Sequence, residues 1–127
     1  MTYRHRILVR YGEVDMQRVV FNAHYLAYCD DAVETWLRTI ELDPSAHQWD
    51  FMLKRAVLEW DGPATVGDEI VIDVAVARWG SSSFDVGFTG SVGERRVFTA
   101  TITYVSVEPG ANTPKVTPGG VRSALSA

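Results

Sequence analysis

Over residues 23–40 the apolar positions are Tyr25, Leu26, Cys29, Ala32, Val33, Trp36, Leu37 and Ile40. Their gaps of three and four draw one apolar stripe along an α-helix. Asp30, Asp31, Glu34 and Arg38 fall on the other face. At 1.5 Å per residue this helix would run about 24–27 Å. Asn22, just ahead of it, is an N-cap candidate, because its side chain can accept from a free backbone N–H one turn on.

Past residue 53 the period changes to two. Residues 54–60 set Ala56, Leu58 and Trp60 against Val57 and Glu59. Residues 69–79 put Ile70, Ile72, Val74 and Val76 on one face, and residues 83–91 do the same with Phe84, Val86 and Phe88. Residues 95–107 alternate Phe98, Ala100, Ile102 and Tyr104 with Val97, Thr99, Thr101, Thr103 and Val105. Asp61-Gly62-Pro63, Val66-Gly67-Asp68, Gly80-Ser81-Ser82 and Gly93-Glu94 separate these runs as turns. Ahead of the helix, Ile7, Val9 and Tyr11 alternate with Leu8 and Arg10, which predicts a first strand. Asp43-Pro44-Ser45 signals a turn, and residues 46–53 read as a short second helix. From Pro109 the chain is rich in Pro, Gly, Ser and Thr and reads as an extended arm. One amphipathic helix followed by short-turned strands predicts an α+β domain over residues 1–127, its antiparallel sheet wrapped around the helix.

The charge balance narrows the function. A net charge of −4 argues against a general nucleic-acid binder. Arg4, His5, Arg6 and Arg10 lie close in sequence but read as solvated strand positions. A single cysteine, Cys29, excludes an internal disulfide. No apolar run reaches bilayer length, and the first residues lack the apolar core of a secretory signal. The expectation is a cytoplasmic protein that binds neither nucleic acid nor membrane.

The candidate chemistry sits in residues 10–32. A strand-like stretch ends at Asp15, the apolar link Val19-Val20-Phe21 follows, and Asn22 opens the helix. That puts a carboxylate close to a helix start, where free N–H groups polarise a carbonyl. A general base or nucleophile beside such an electrophile is the minimum equipment for hydrolysing an acyl group. By itself Asp15 reads first as a turn aspartate. Glu13 would share its face on an extended strand and could pair with it, the simpler reading being an exposed loop glutamate. His24, in the first helical turn, is either near a substrate or structural. Tyr25 and Cys29 read as packing residues. No spacing of His, Cys, Asp or Glu suggests a metal site, and no phosphate loop or nucleophile elbow is present. No cofactor is expected.

Residues 10–32 resemble the N-terminal signature of the hot-dog fold acyl-CoA thioesterases of the 4-hydroxybenzoyl-CoA thioesterase type. Arg10, Tyr11, Asp15, Val19, Val20, Phe21 and Tyr25 fall on that family's pattern. Residues 58–71, 79–84 and 114–125 fit its later strands, middle hairpin and tail. The resemblance implies a five-stranded antiparallel sheet curved around the helix. It also implies dimers with a sheet continuous across two subunits, often paired into tetramers, with active sites at the subunit boundary. It assigns Asp15 as base or nucleophile and the Asn22 amide as the carbonyl-polarising donor. Arg18, Val20, Phe21, His24, Tyr25, Trp60, Trp79, Ser81 and Ser82 become candidate substrate contacts, the substrate being an acyl-CoA or an acyl carrier protein ester. Two departures stand out. Arg18 occupies the family's glycine position, which keeps a non-catalytic acyl binder as an alternative. The loop after Trp79 carries Gly80, Ser81 and Ser82 where some relatives have basic residues that hold nucleotide phosphates.

Overall fold

The chain begins with strand β1 (Tyr3–Leu8), which alternates Tyr3, His5 and Ile7 inward with Arg4, Arg6 and Leu8 outward. The structure, a computed structural model, describes residues 2–127. A loop with one 3-10 turn (Tyr11–Glu13) leads to helix α1 (Asn22–Thr39). Strands β2 (Asp50–Trp60), β3 (Glu69–Trp79), β4 (Ser83–Val92) and β5 (Arg95–Val107) follow, and helix α2 (Gly119–Ser126) ends the chain. The five strands form one antiparallel sheet in the order β1-β3-β4-β5-β2.

The stripe on α1 is what the sheet encloses. Tyr25, Tyr28, Cys29, Ala32, Val33, Trp36 and Leu37 are buried on it. They share one core with Ile70, Ile72 and Val74 of β3, Phe84, Val86 and Phe88 of β4, and Phe98, Ala100, Ile102 and Tyr104 of β5. Each such large side chain contributes about 1.5–3 kcal/mol by leaving water. Tyr25 meets Phe98 edge-on at 5.0 Å between centroids, and Trp36 stacks on Tyr3 at 6.2 Å. Gly90 faces Phe98 across the β4–β5 ladder, and a Cβ there would overlap the Phe98 ring. No helix among the described residues is long and apolar enough to cross a membrane.

Strands β3 and β5 run as their period predicts; other elements differ for identifiable reasons. Strand β1 starts four residues before Ile7. Its inward His5 is buried rather than solvated, because Nε2 meets Asp31 Oδ2 of α1 at 2.8 Å. Tyr11 is exposed, since the chain leaves the strand for the 3-10 turn. No second helix forms over residues 46–53. Pro44–His47 make one 3-10 turn, left-handed Gln48 ends it, and β2 has begun by Asp50. Asn22 is the first helical residue and Phe21 the N-cap, with no side-chain capping bond. The residues after Pro109 are no loose arm. Val121 and Leu125, one turn apart on α2, are buried in the core. Thr117 Oγ1 lies 2.7 Å from Ser106 Oγ, and Arg122 donates to the Gly80 carbonyl while stacking over Trp79.

The two edges of the sheet differ. Strand β1 carries Arg4 and Arg6, paired with Asp73 and Glu69 of the adjacent strand. Strand β2, broken by an irregularity between Leu53 and Arg55, exposes Met52, Leu53, Val57 and Trp60 along its open edge. An unpaired, long and apolar edge is a template for another strand.

Candidate active site

The loop between β1 and α1 is a tight hairpin. Val14 and Val20 form an antiparallel bridge, and the Asp15 N–H donates to the Val19 carbonyl at 2.9 Å. The Arg18 N–H returns to the Asp15 carbonyl at 2.9 Å, and Arg18 itself sits at φ 64°. A turn closed by one left-handed residue is a standard short hairpin connection. The family's glycine position is therefore the position that needs positive φ, and here an arginine holds it. The Arg18 carbonyl is anchored by the Thr65 hydroxyl at 2.7 Å. Its guanidinium has no hydrogen-bond or ion-pair partner among the described residues.

Asp15 opens this turn. Its Oδ1 accepts from the Gln17 N–H at 2.8 Å, the aspartate turn bond, and Oδ2 has no partner among the described residues. The side chain lines a groove with Tyr11, Gly12, Val14, Arg18, Thr65 and Val66. The Asn22 N–H, at the first position of α1, has no acceptor among the described residues. Asn22 lines a second groove with Val19, Val20, Tyr25, Trp60 and residues 61–63. The Val20 N–H donates to the Ala64 carbonyl at 2.9 Å. Within one protomer, then, Asp15 and Asn22 line neighbouring grooves.

Glu13 does not pair with Asp15, and it is not an exposed loop residue. It lines a third groove with Arg10, His24, Tyr28 and Asp31. Oε1 accepts from the Arg10 N–H at 2.9 Å and the Tyr28 hydroxyl at 3.1 Å; Oε2 accepts from Arg10 Nη2 at 2.8 Å. Burial works against the Glu13 charge, but the Arg10 bonds and the Tyr28 hydroxyl outweigh it and hold the carboxyl below its ordinary range. His24 stands in this groove, its ring edge-on to the half-exposed Phe21, and so lies apart from Asp15 and Asn22.

The other candidates divide between two ends of the sheet. Val20 and Tyr25 are buried beside Asn22, and Trp60 stands edge-on to Tyr25 at 5.8 Å. Trp79, Ser81 and Ser82 sit at the far end. Trp60 pairs with Phe98, whereas Trp79 pairs through Phe84 with Tyr104. Those positions on β5 are about 20 Å apart at 3.4 Å per residue. The Ser81 and Ser82 carbonyls accept from Thr117 and Ser106, and the Trp79 indole donates to Ser126. Cys29 is fully buried, and burial pushes its thiol up to about 12, so it is a packing residue.

Asp30 is exposed, as its place on the solvated face of the helix predicts, but it has a partner that the sequence reading missed. Its Oδ1 accepts from the Tyr104 hydroxyl at 3.3 Å, and burial raises its carboxyl above the ordinary range despite that bond. Together they line an apolar groove with Val33, Leu37, Phe51 and Leu53, beside the open edge of β2. The available signal was its place next to Cys29, at the border of the apolar stripe.

The thioesterase-like superfamily model matches residues 9–125 of this chain. A curated relative, the 1,4-dihydroxy-2-naphthoyl-CoA hydrolase of Trichodesmium erythraeum (strain IMS101), is 24% identical over 116 residues, covering 86% of this chain and 84% of that protein. Among solved structures, a 1,4-dihydroxy-2-naphthoyl-CoA thioesterase from Synechocystis superposes with a TM-score of 0.87 at 20% identity, covering 98% of this chain and 96% of that one. The PA5185 protein of Pseudomonas aeruginosa gives 0.86 at 25% identity, covering 97% and 88%. The five-stranded sheet around one long helix is thus the hot-dog fold implied by the residues near Asp15.

Proposed function

The chain belongs to the thioesterase-like superfamily, and from that membership we propose that it hydrolyses acyl-CoA thioesters, with Asp15 and the Asn22 amide as the reactive pair. One observation carries this reading: among the described residues, Asp15 has one oxygen tied into a turn and the other without a partner, and the helix that starts at Asn22, on the far side of that hairpin, has a first amide with no acceptor. In the reaction, the free Asp15 oxygen takes a proton from water as the water oxygen adds to the thioester carbon. The resulting oxyanion sits against the Asn22 N–H. The C–S bond then breaks, and the thiolate recovers the proton from the Asp15 carboxyl. Direct attack by Asp15 gives an anhydride that water opens, with the same products. A backbone donor at such an oxyanion is worth about 3–4 kcal/mol in other enzymes.

A second copy of the chain completes the site in this reading. If β2 pairs antiparallel with the partner's β2, the Trp60 end of one strand meets the Asp50 end of the other. The groove at Asn22 then runs toward the partner's Phe51, Leu53, Asp30 and Tyr104, which supply an apolar acyl pocket. The open, apolar edge of β2 supports this dimer.

The alternative of a non-catalytic acyl binder rested on Arg18. The left-handed backbone at Arg18 keeps the turn that a glycine would make, so Asp15 loses nothing by the exchange. The unpaired guanidinium stands in the Asp15 groove and is suited to a phosphate of CoA. Arg18→Gly is expected to raise Tm by about 2–4 °C by relieving a left-handed non-glycine residue. It is also expected to raise KM for acyl-CoA about fivefold, equivalent to ~1 kcal/mol. An unchanged KM would remove Arg18 from substrate binding.

The first experiment is thiol release from a panel of acyl-CoA esters and the matching acyl carrier protein esters. Release from the CoA esters, with slower release from the carrier protein, is the expected outcome. No release from any ester would favour a binder, and faster release from the carrier protein would reassign the substrate.

A further inference from the structure

Glu13 joins the segment that carries Asp15 to the helix that carries the Asn22 amide. Its own N–H donates to the Arg10 carbonyl and its carbonyl accepts from the Phe21 N–H, both at 3.0 Å. Phe21 immediately precedes Asn22, and Asp15 lies two residues after Glu13. The Glu13 side chain, only 12% exposed, reaches in the other direction to the Tyr28 hydroxyl, nearly two turns along α1. Loop and helix are therefore tied at two points, one at the helix start and one on its buried face.

A buried carboxylate is a costly way to staple a loop to a helix, and an apolar contact would serve stability as well. What a charged hydrogen bond adds is direction and length. Proton transfer from water, like attack on a thioester carbon, tolerates little misplacement; about 1 Å can cost 10²-fold in rate. We propose that the Tyr28–Glu13 hydrogen bond is a positioning link that keeps the Asp15 carboxylate in register with the Asn22 amide during hydrolysis. This rests on the assignment of that pair given above.

Tyr28→Phe keeps the ring and removes only the hydroxyl. The expected result is a fall in kcat of about 10- to 100-fold with KM within about twofold of wild type. In an Asp15→Asn background the same exchange is expected to lower the residual rate no further, because the link acts through Asp15. Glu13→Gln, which keeps shape but not charge, should repeat the pattern. An unchanged kcat, or an equal loss in both backgrounds, would overturn the proposal. So would variants that melt lower but turn over at the wild-type rate. The two readings fail separately. A fully active Asp15→Asn protein removes the reactive pair itself, whereas a dead Asp15→Asn beside a fully active Tyr28→Phe removes only the link.

Discussion

Asp15→Asn is expected to lower kcat for thioester hydrolysis by about 10³-fold without unfolding the protein. The exchange keeps a carbonyl oxygen in the place of Oδ1, so the Gln17 N–H retains its 2.8 Å acceptor and the turn holds its shape. What is lost is the charge on the second oxygen. An amide neither takes a proton from water nor attacks a carbonyl carbon. The base and nucleophile routes therefore predict the same collapse. Binding should persist, so KM moves little and an unhydrolysed ester should protect the variant against heat. The measurement is thiol release against a melting curve: the rate falls by three orders of magnitude while Tm stays within about 2 °C. Activity near wild type would take Asp15 out of the reaction.

The second large effect concerns the sheet edge. Met52→Asp combined with Val57→Asp is expected to convert the protein to a monomer and to abolish turnover. Both side chains are substantially exposed on β2, at 47% and 39%, so a lone protomer should tolerate the charges. Across a two-fold seam that sets the Trp60 end against the Asp50 end, the charge at position 52 of one strand comes near that at position 57 of the other, and like charges on facing strands repel. Light scattering reads the mass, circular dichroism the retained fold, and thiol release the activity. A dimer that survives the double exchange would place the seam elsewhere. A monomer with full activity would show that one protomer's grooves suffice. The second outcome would also reassign the Asp30–Tyr104 groove, which in the proposed dimer enters the site only through the partner.

Much of the architecture was legible in the chain itself. The stripe from Tyr25 to Leu37 gave the helix, and alternation over residues 69–79 and 95–107 gave two strands to the residue. Where two apolar residues four apart lay in a Pro- and Gly-rich stretch, as with Val121 and Leu125, composition hid a helix. Residues 46–53 erred the other way. A proline, a left-handed Gln48 and inward Phe51 decide for a turn and a strand. Of the site, the turn at Asp15 and the helix start at Asn22 could be read from neighbouring residues, because both are made by bonds within a few positions.

What sequence periodicity determines is which side of each element meets the core, since the repeat of a helix or strand is a property of the backbone alone. It does not tell a charged residue whether it will keep its water. His5 is buried against Asp31, 26 positions on, and Glu13 is largely covered beside Tyr28, 15 on. Both the carboxylate and the histidine looked solvated in their own stretches of chain. Only folding brought the partners that offset their desolvation, and with them the grooves and the open edge of β2.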